Sequence, residues 1–294
     1  MSLDPAGELA DPAAVAAALD AAGYLPDAGL ATAAFLALRM RRPLFLEGDP
    51  GVGKTALAQA LATITGSPLI RLQCYEGIDA SQALYDWDFP RQILHLRAAG
   101  DSATDRAALE QSLYDRRFLV SRPILQALET SPSTLLVDEI DRADDEFEAF
   151  LLETLAESSV TVPELGTITA STPPLVVITS NRTREVHDAL KRRCLYHWVA
   201  HPDFAREVAI VRRRVPQVTE QLARDVAAAV ARLRAAGLVK PPGIAETIDW
   251  TQALHALGVS QLSPDTAEPT LGAVLKYHED IARVQRDLDV MLGG

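Results

Sequence analysis

The amino-acid sequence predicts an α/β fold, a parallel sheet flanked by helices, with a small all-helical unit behind it. Up to about residue 200, short apolar runs of strand length alternate with longer stretches of helical periodicity. That is the pattern of strands joined by crossover helices. Beyond His201-Pro202 the strand signal fades and only helical stretches follow. Between the first strand and the next helix lies Gly48-Asp49-Pro50-Gly51-Val52-Gly53-Lys54-Thr55-Ala56, a glycine-rich turn that leaves as a run of helix formers. Sheets of this kind bind ligands at the carboxyl ends of their strands.

Asp11-Pro12, then Ala13 to Ala22 and Gly23, reads as a capped helix, with Asp as N-cap, Pro in the first turn and Gly at the stop. A second helix is expected from about Asp27 to Arg41, ended by Pro43 before the strand Leu44-Phe45-Leu46-Glu47. Tyr24 and Leu25, upstream of the turn, are either core residues or part of a base pocket. Thr55 to Thr65 continues as helix until Gly66 and Pro68, and Leu69 to Cys74 has the branching of a second buried strand. From Tyr75 to about Pro90 no period is visible, and the segment reads as a loop or short insertion carrying Tyr85, Trp87 and Phe89. A helix is expected over Ser102 to Tyr114, with Ser102 and Asp105 in capping-box spacing, and a short one over Pro123 to Glu129.

Thr134 to Val137 is an apolar strand that ends in Asp138-Glu139. Asp144 to Glu157 carries Phe147, Phe150, Leu151 and Leu155 on one helical face, with acids in the first turn where the helix dipole favours them. Val160 to Thr169, centred on Pro163-Glu164-Leu165-Gly166, reads as a β-hairpin, and Leu175 to Thr179 as a further buried strand ending at Ser180-Asn181. Helices are then expected at Phe204–Arg214, Thr219–Ala236, Glu246–Leu257 and Thr270–Met291. The expected domains are residues 1–200 and 201–294.

With 48% hydrophobic and 23% charged residues among 294, the chain has the composition of an ordinary globular protein. No apolar run approaches the roughly 18 residues of a membrane span. The acidic, alanine-rich start lacks the basic and apolar regions of a secretion signal. Cys74 and Cys194 lie far apart, at no metal-binding spacing. A cytoplasmic protein with two buried free thiols is the expectation. The net charge of −12 disfavours generic nucleic-acid binding, which neutralises phosphates with Lys and Arg. It leaves room for a local basic channel. Arg and Lys cluster at Arg39–Arg42, Arg182–Arg193 and Arg212–Arg214, runs that are ordinarily solvated faces or helix C-termini.

Gly48, Gly53, Lys54 and Thr55 satisfy the phosphate-loop pattern G-x-x-x-x-G-K-[ST]. Its glycines let the backbone approach a polyphosphate and aim successive amides at it, and the next helix adds the positive end of its dipole. Residues Gly48 to Ala56 are therefore the expected nucleotide cradle, with Lys54 on the outer phosphates and the Thr55 hydroxyl on Mg²⁺. Asp138, at a strand end, is placed to hold Mg²⁺ through its water shell. Glu139 beside it is placed to polarise an attacking water as general base. The bland alternative is a pair of acids closing a strand. Asn181 ends another apolar strand; it either orients the same water, senses the γ-phosphate, or merely closes a turn. Arg192 and Arg193 sit in the basic segment Ala189–Cys194. They either rest on the dipole at a helix C-terminus or stabilise a transferring phosphoryl group on a neighbouring subunit.

In this order the phosphate loop, Asp138-Glu139, the hairpin, Asn181 and the arginine pair resemble the AAA+ ATPases. Asp138-Glu139-Ile140-Asp141-Arg142-Ala143 is similar to the D-E-I-[ND]-R-A form of the MoxR family, and the hairpin to the pre-sensor insertion of that wider clade. Gly243-Ile244-Ala245-Glu246-Thr247-Ile248-Asp249-Trp250 resembles the CoxD-like branch, whose members accompany molybdenum-containing dehydrogenases. The resemblance covers about residues 30 to 200, and a helical lid in outline. It implies ATP and Mg²⁺ as cofactors, hydrolysis with Glu139 as base, Asn181 as sensor 1, and Arg193, with Arg192 beside it, as the arginine finger. It also implies a homo-oligomeric ring, usually a hexamer, with a von Willebrand factor A domain partner and a metalloenzyme client that is remodelled or loaded with metal. The Tyr75–Pro90 segment lies where relatives put pore-facing insertions, which would set Tyr85 and Trp87 against a client unless they pack in the core. One departure stands out. Relatives place a sensor 2 arginine early in a lid helix, where this chain has Glu246-Thr247-Ile248-Asp249. Either nucleotide-dependent motion of the lid is driven differently, or an arginine from elsewhere substitutes, with Arg142 as one candidate.

Three other readings compete. A nucleotide-gated adaptor with slow hydrolysis fits the missing sensor 2 arginine. A DNA-acting motor sits poorly with the acidic balance. A small-molecule kinase has no use for Glu139 next to Asp138, and the Asn-Lys-x-Asp motif for guanine is absent from the sequence.

Overall fold

A computed structural model describes residues 9–99 and 106–292. Helices α1 (Pro12–Ala21) and α2 (Ala28–Met40) lead into strand β1 (Leu44–Glu47). Each helix starts under an aspartate: the Ala14 amide donates to Asp11 and the Leu30 amide to Asp27, satisfying amides that a helix start leaves unpaired. Next come α3 (Lys54–Ile64) and β2 (Leu69–Gln73). An excursion follows, made of α4 (Ala80–Leu84), β3 (Tyr85–Trp87), α5 (Phe89–Ala99), α6 (Arg106–Ser112) and β4 (Leu119–Ser121). The chain returns through α7 (Pro123–Glu129), β5 (Thr134–Asp138) and α8 (Asp145–Glu157) to a hairpin of β6 (Ser159–Val162) and β7 (Gly166–Thr169). Strand β8 (Leu175–Ser180), α9 (Asp188–Arg193) and β9 (Leu195–Trp198) complete this part. Everything described beyond it is helical: α10 (Phe204–Arg214), α11 (Glu220–Ala235), α12 (Ile244–Ala256), α13 (Pro264–Ala267), α14 (Leu271–Val274), α15 (His278–Arg286) and α16 (Leu288–Leu292).

One five-stranded sheet runs in the order β2-β5-β8-β1-β9, with every neighbouring pair parallel. Register brings strand ends side by side: Gln73 lies opposite Asp138, and Glu47 opposite Ser180. Strands β1 and β5 are buried along their whole length, which is why they read as unbroken apolar runs. Side chains alternate between two cores. Phe45, Val137 and Ile178 face the cluster that includes α7 and α8, while Leu44, Leu46, Leu136 and Val177 face the one that includes α1, α2 and α3. The C-terminal helices close over a third cluster around Val226, Val230, Leu254 and the fully buried Trp250. The Trp250 indole donates to Thr270 Oγ1 at 2.8 Å.

At four places the structure goes beyond or against the expectations. The Tyr75–Pro90 segment is not a loop throughout: Asp79 and Gln82 form a capping box that starts α4, and β3 pairs antiparallel with β4. That pairing is long-range, so local periodicity cannot register it. Tyr85 and Trp87 are half-buried against the sheet core, and Trp87 sets its edge on Tyr114 at 5.3 Å, so core packing holds them. Helix α5 and strand β9 were not anticipated; β9 is a short edge strand alternating half-buried and exposed residues. The single helix expected over Thr270–Met291 is broken. Leu275 turns extended (φ −110°, ψ 139°) and buries beside Val274 in the helical core, and a second break falls at Asp287. The N-terminal eight residues and the capping box read at Ser102 and Asp105 lie outside the described residues.

Replacing Trp250 with Ala is expected to cost about 3–5 kcal/mol, the range for emptying a large aromatic site. Denaturant unfolding followed by circular dichroism measures it, and a loss below about 1 kcal/mol would mean that the helical core collapses onto the gap.

Candidate active site

The phosphate loop leaves β1 at Glu47 and is gripped at once by β9, where the Val199 amide donates to the Glu47 carbonyl at 2.7 Å. The contact explains Gly48, since a Cβ there would lie 2.4 Å from the Val199 carbonyl oxygen. Gly53 caps α3 with φ +99°, a left-handed conformation that glycine adopts without strain. Lys54 is buried, and its ammonium donates to the carbonyls of Gly48 at 2.7 Å and Asp49 at 2.8 Å. Burial lowers the Lys54 pKa, while Asp141, Asp49, Asp138 and Glu139 oppose that shift.

The carboxyl ends of β5 and β8 supply the facing wall. Asp138 is buried and accepts hydrogen bonds from Thr179 Oγ1 at 2.6 Å, Thr55 Oγ1 at 3.2 Å and the Arg71 guanidinium at 2.5 Å. Glu139 adopts a left-handed backbone (φ 57°, ψ 52°), with its amide donating to Thr179 Oγ1 at 2.9 Å. Its carboxylate accepts from Asn181 Nδ2 at 3.1 Å and Gln73 Nε2 at 3.1 Å, and pairs with Arg142 Nε at 3.1 Å. Asp141 holds the segment after β8 in place, accepting from the amides of Asn181 at 3.1 Å and Thr183 at 2.9 Å and from the Thr183 hydroxyl at 2.7 Å. Burial pushes the Asp141 carboxyl up, but these hydrogen bonds outweigh it and hold it below its ordinary value.

A cavity of about 380 Å³ opens between this wall and the C-terminal helices, within the size range of small-molecule sites. The loop from Pro50 to Ala56, Asp138, Glu139 and Asn181 line one side, and Tyr24 and Leu25 line it near the N-terminal helices. Burial pushes the Tyr24 phenol to about 12, so it stays a neutral donor. From the helical side come Arg206, Ile210 and Arg214 of α10 and Ile244, Ala245 and Ile248 of α12. The start of α12 touches the loop directly, the Ala245 amide donating to the Gly51 carbonyl at 3.2 Å. Glu246 turns back onto the Gly243 amide at 3.0 Å. Arg142 does not fill the sensor 2 position, because its guanidinium goes to Glu139 and it does not line the cavity. The arginines that the C-terminal helices bring there are Arg206 and Arg214, and Arg206 is tied to the Leu25 carbonyl and to Asp27.

Arg192 and Arg193 lie elsewhere. Both are exposed at the end of α9, with Arg193 donating to the Leu152 carbonyl at 3.1 Å. The structure thus gathers Pro50 to Ala56, Asp138, Glu139 and Asn181 around one cavity, with Gly48 and Asp49 reaching it only as carbonyl partners of Lys54, and leaves the arginine pair outside it. Gln73, Arg71, Thr179 and Asp141 are the site residues that the sequence did not single out. Asp141 carried a signal, standing just beyond the end of β5. Arg71 and Thr179 lie inside their strands, and Gln73 gains its role only from the pairing of β2 with β5. A hydroxyl paired with a buried carboxylate is a hard oxygen donor set that suits Mg²⁺. Among the described residues no cluster of three or more His, Cys, Asp or Glu that could hold a metal ion is present. Both cysteines are buried and free, their thiols pushed by burial to about 12.

Among known proteins, the model of the AAA domain, dynein-related subfamily, matches residues 43–194, just over half of the chain. Midasin of Giardia intestinalis is 54% identical over 48 residues, which is 16% of this chain and 1% of midasin's length. Thermotoga maritima RuvB, a Holliday junction branch migration motor, aligns over 92% of this chain and 68% of its own, at 15% identity and a TM-score of 0.43. A mutant of it aligns over 95% and 76%, at 17% identity and a TM-score of 0.49. No helix among the described residues is long and apolar enough to cross a membrane.

Two outcomes follow from this geometry. Gly48→Ala is expected to abolish binding of a fluorescent ATP analogue at concentrations that saturate the native protein; unchanged affinity would mean that the Val199 carbonyl yields. The Asp141 pKa is lower folded than unfolded, so its stabilisation is complete above the ordinary carboxylate value and is lost as pH falls through the folded one. Asp141→Asn should therefore be clearly less stable than the native protein at neutral pH, with the gap narrowing as pH falls below the ordinary carboxylate range. A pH-independent gap in denaturant unfolding would contradict this.

Proposed function

We propose that this chain, which belongs to the AAA domain family in its dynein-related subfamily, is an ATPase that couples hydrolysis to the remodelling of a client protein. One convergence carries the reading. Asn181 Nδ2 reaches Glu139 Oε1 at 3.1 Å in the cavity that also takes in Lys54, Thr55 and Asp138. In this reading Lys54 meets the outer phosphates, and Thr55 with Asp138 serves Mg²⁺, which neutralises phosphate charge when bound. Glu139 accepts the proton of the attacking water, and Asn181 orients that carboxylate. Residues 1–200 act as the nucleotide-binding domain and residues 201–294 as a helical lid; the separate core of the C-terminal helices supports that division.

Arg193, with Arg192 beside it, acts on the nucleotide of the next subunit in a homo-oligomeric ring, hexameric as in relatives. Their exposure outside the cavity supports this. The segments Asp138–Ala143 and Gly243–Trp250 support a place in the MoxR family, in its CoxD-like branch. On that placement the partner carries a von Willebrand factor A domain, and the client is a metalloenzyme, a molybdenum dehydrogenase first, whose metal cofactor maturation the ATPase promotes. A slower, nucleotide-gated adaptor is the second reading, and the grip of Arg142 on Glu139 is the observation that favours it.

Glu139→Gln is expected to keep ATP affinity and to lower turnover by about 10²–10⁴-fold, the range of a general base; phosphate release at the native rate would remove Glu139 from that role. Arg193→Ala should lower turnover in the assembled ring by about 10³-fold or more, with nucleotide affinity largely intact. Rings mixed from Arg193→Ala and Glu139→Gln subunits should regain activity that neither has alone. A turnover rate that no partner or client changes would select the adaptor.

A further inference from the structure

Strand β1 has polar anchors at both ends that the hydrolysis site does not use. Arg42 stands just before it, and its guanidinium donates to three successive backbone carbonyls: Arg192 at 3.0 Å, Arg193 at 3.2 Å and Cys194 at 3.1 Å. These include the last carbonyls of α9, which a helix leaves unpaired and which carry the negative end of its dipole. At the other end stands Glu47, a buried carboxylate immediately before Gly48 of the phosphate loop. A buried charge needs a charged or hydrogen-bonding partner. Glu47 takes two, Lys191 at 3.3 Å and the Tyr196 hydroxyl at 2.9 Å. Lys191 directly precedes the arginine pair, and its ammonium also lies 5.7 Å from the centre of the Phe45 ring. The Phe45 ring in turn stacks on Tyr196 at 6.1 Å.

We propose that β1 transmits the position of a subunit's own phosphate loop to the arginine pair that the subunit presents to its neighbour, with Arg42 and Glu47 as the positioning residues. This rests on the trans-acting arginine reading given above. Arg42 fixes the backbone from which the two arginines project. Glu47 ties the preceding residue to the root of the loop, a root that β9 also holds through Val199. Displacement of Gly48 therefore pulls on Lys191 through one carboxylate, and displacement of the arginine segment pulls on the loop by the same route, as linkage requires. The side chains of Arg192 and Arg193 stay at the surface, while the structure beneath them is fastened at two points to a single buried strand.

The test uses the full chain in its assembled form. Arg42→Ala is expected to bind a fluorescent ATP analogue as the native protein does and to lose most of its turnover. Mixed with Glu139→Gln subunits, it should regain turnover as Arg193→Ala does in the same mixture. An Arg42→Ala subunit keeps an intact loop and base, and a Glu139→Gln neighbour offers it well-placed arginines. Rescue of Arg193→Ala without rescue of Arg42→Ala would place Arg42 in its own subunit's site and overturn the proposal while leaving the trans reading standing. Rescue of neither removes the trans reading and the proposal with it. Full turnover of Arg42→Ala alone also overturns it. Should Arg42→Ala fail to fold, Glu47→Gln, which keeps the side-chain volume and loses the ion pair, goes through the same mixture with the same expected rescue.

Discussion

Lys54 is the constraint on which this site turns. The residue is only 6% exposed, and a buried ammonium is costly unless carbonyls and acids surround it. The loop supplies the Gly48 and Asp49 carbonyls, and Asp141, Asp49, Asp138 and Glu139 supply negative charge at longer range. Those acids cannot crowd together without donors of their own. Asp138 takes Thr179, Thr55 and Arg71, and Glu139 takes Asn181, Gln73 and Arg142. The donors come from the ends of β2 and β8, from α3 and from the turn after β5. Only the parallel order β2-β5-β8-β1 brings those ends to one edge.

Much of this was legible because buried parallel strands announce themselves as apolar runs and the residue after such a run sits at the ligand-binding edge. Asp138, Glu139 and Asn181 could be found that way. Thr179 could not, being indistinguishable by type from the other β-branched residues of β8. Gln73 and Arg71 gain meaning only once β2 is known to lie beside β5, a pairing across the sequence. The edge strand β9 was missed because its alternation is only four residues long. It nonetheless decides the loop, since Val199 leaves no room for a side chain at residue 48. The break at Leu275 was hidden for the opposite reason: helical periodicity continues through it, and only burial in the C-terminal core forces the turn.

Glu139 is placed with unusual force. A left-handed backbone costs a non-glycine residue on the order of 1 kcal/mol, so something must hold it there. Thr179 does so by accepting the Glu139 amide while donating to Asp138. The 3-10 turn Ile140–Arg142 that follows is what brings Arg142 back onto the Glu139 carboxylate. One turn therefore both aims the carboxylate at the cavity and supplies a cation that competes for it.

The same economy answers how the C-terminal helices can respond to the loop without an arginine at the start of α12. Contact is made by backbone: the Ala245 amide donates to Gly51, and Gly243 lies so close to the Pro50 carbonyl that a Cβ there would stand 2.8 Å from its oxygen. Behind that contact, the buried Glu207 carboxylate takes Arg234 at 2.6 and 2.8 Å and the Thr247 hydroxyl at 2.7 Å. A residue from each of α10, α11 and α12 is thereby joined at one point. Parting α10 from α11 would leave a buried charge unpaired, a cost of about 3–5 kcal/mol. Withdrawing α12 takes one hydroxyl hydrogen bond from the buried carboxylate, roughly 1.5–3 kcal/mol. Helices α10 and α11 are thus locked together by charge and α12 is tied to them by a hydroxyl, so a displacement of Gly51 is passed from α12 towards the other two. An arginine early in α12 would add a charged contact to the nucleotide, but the mechanical link between loop and helices is already made by the main chain.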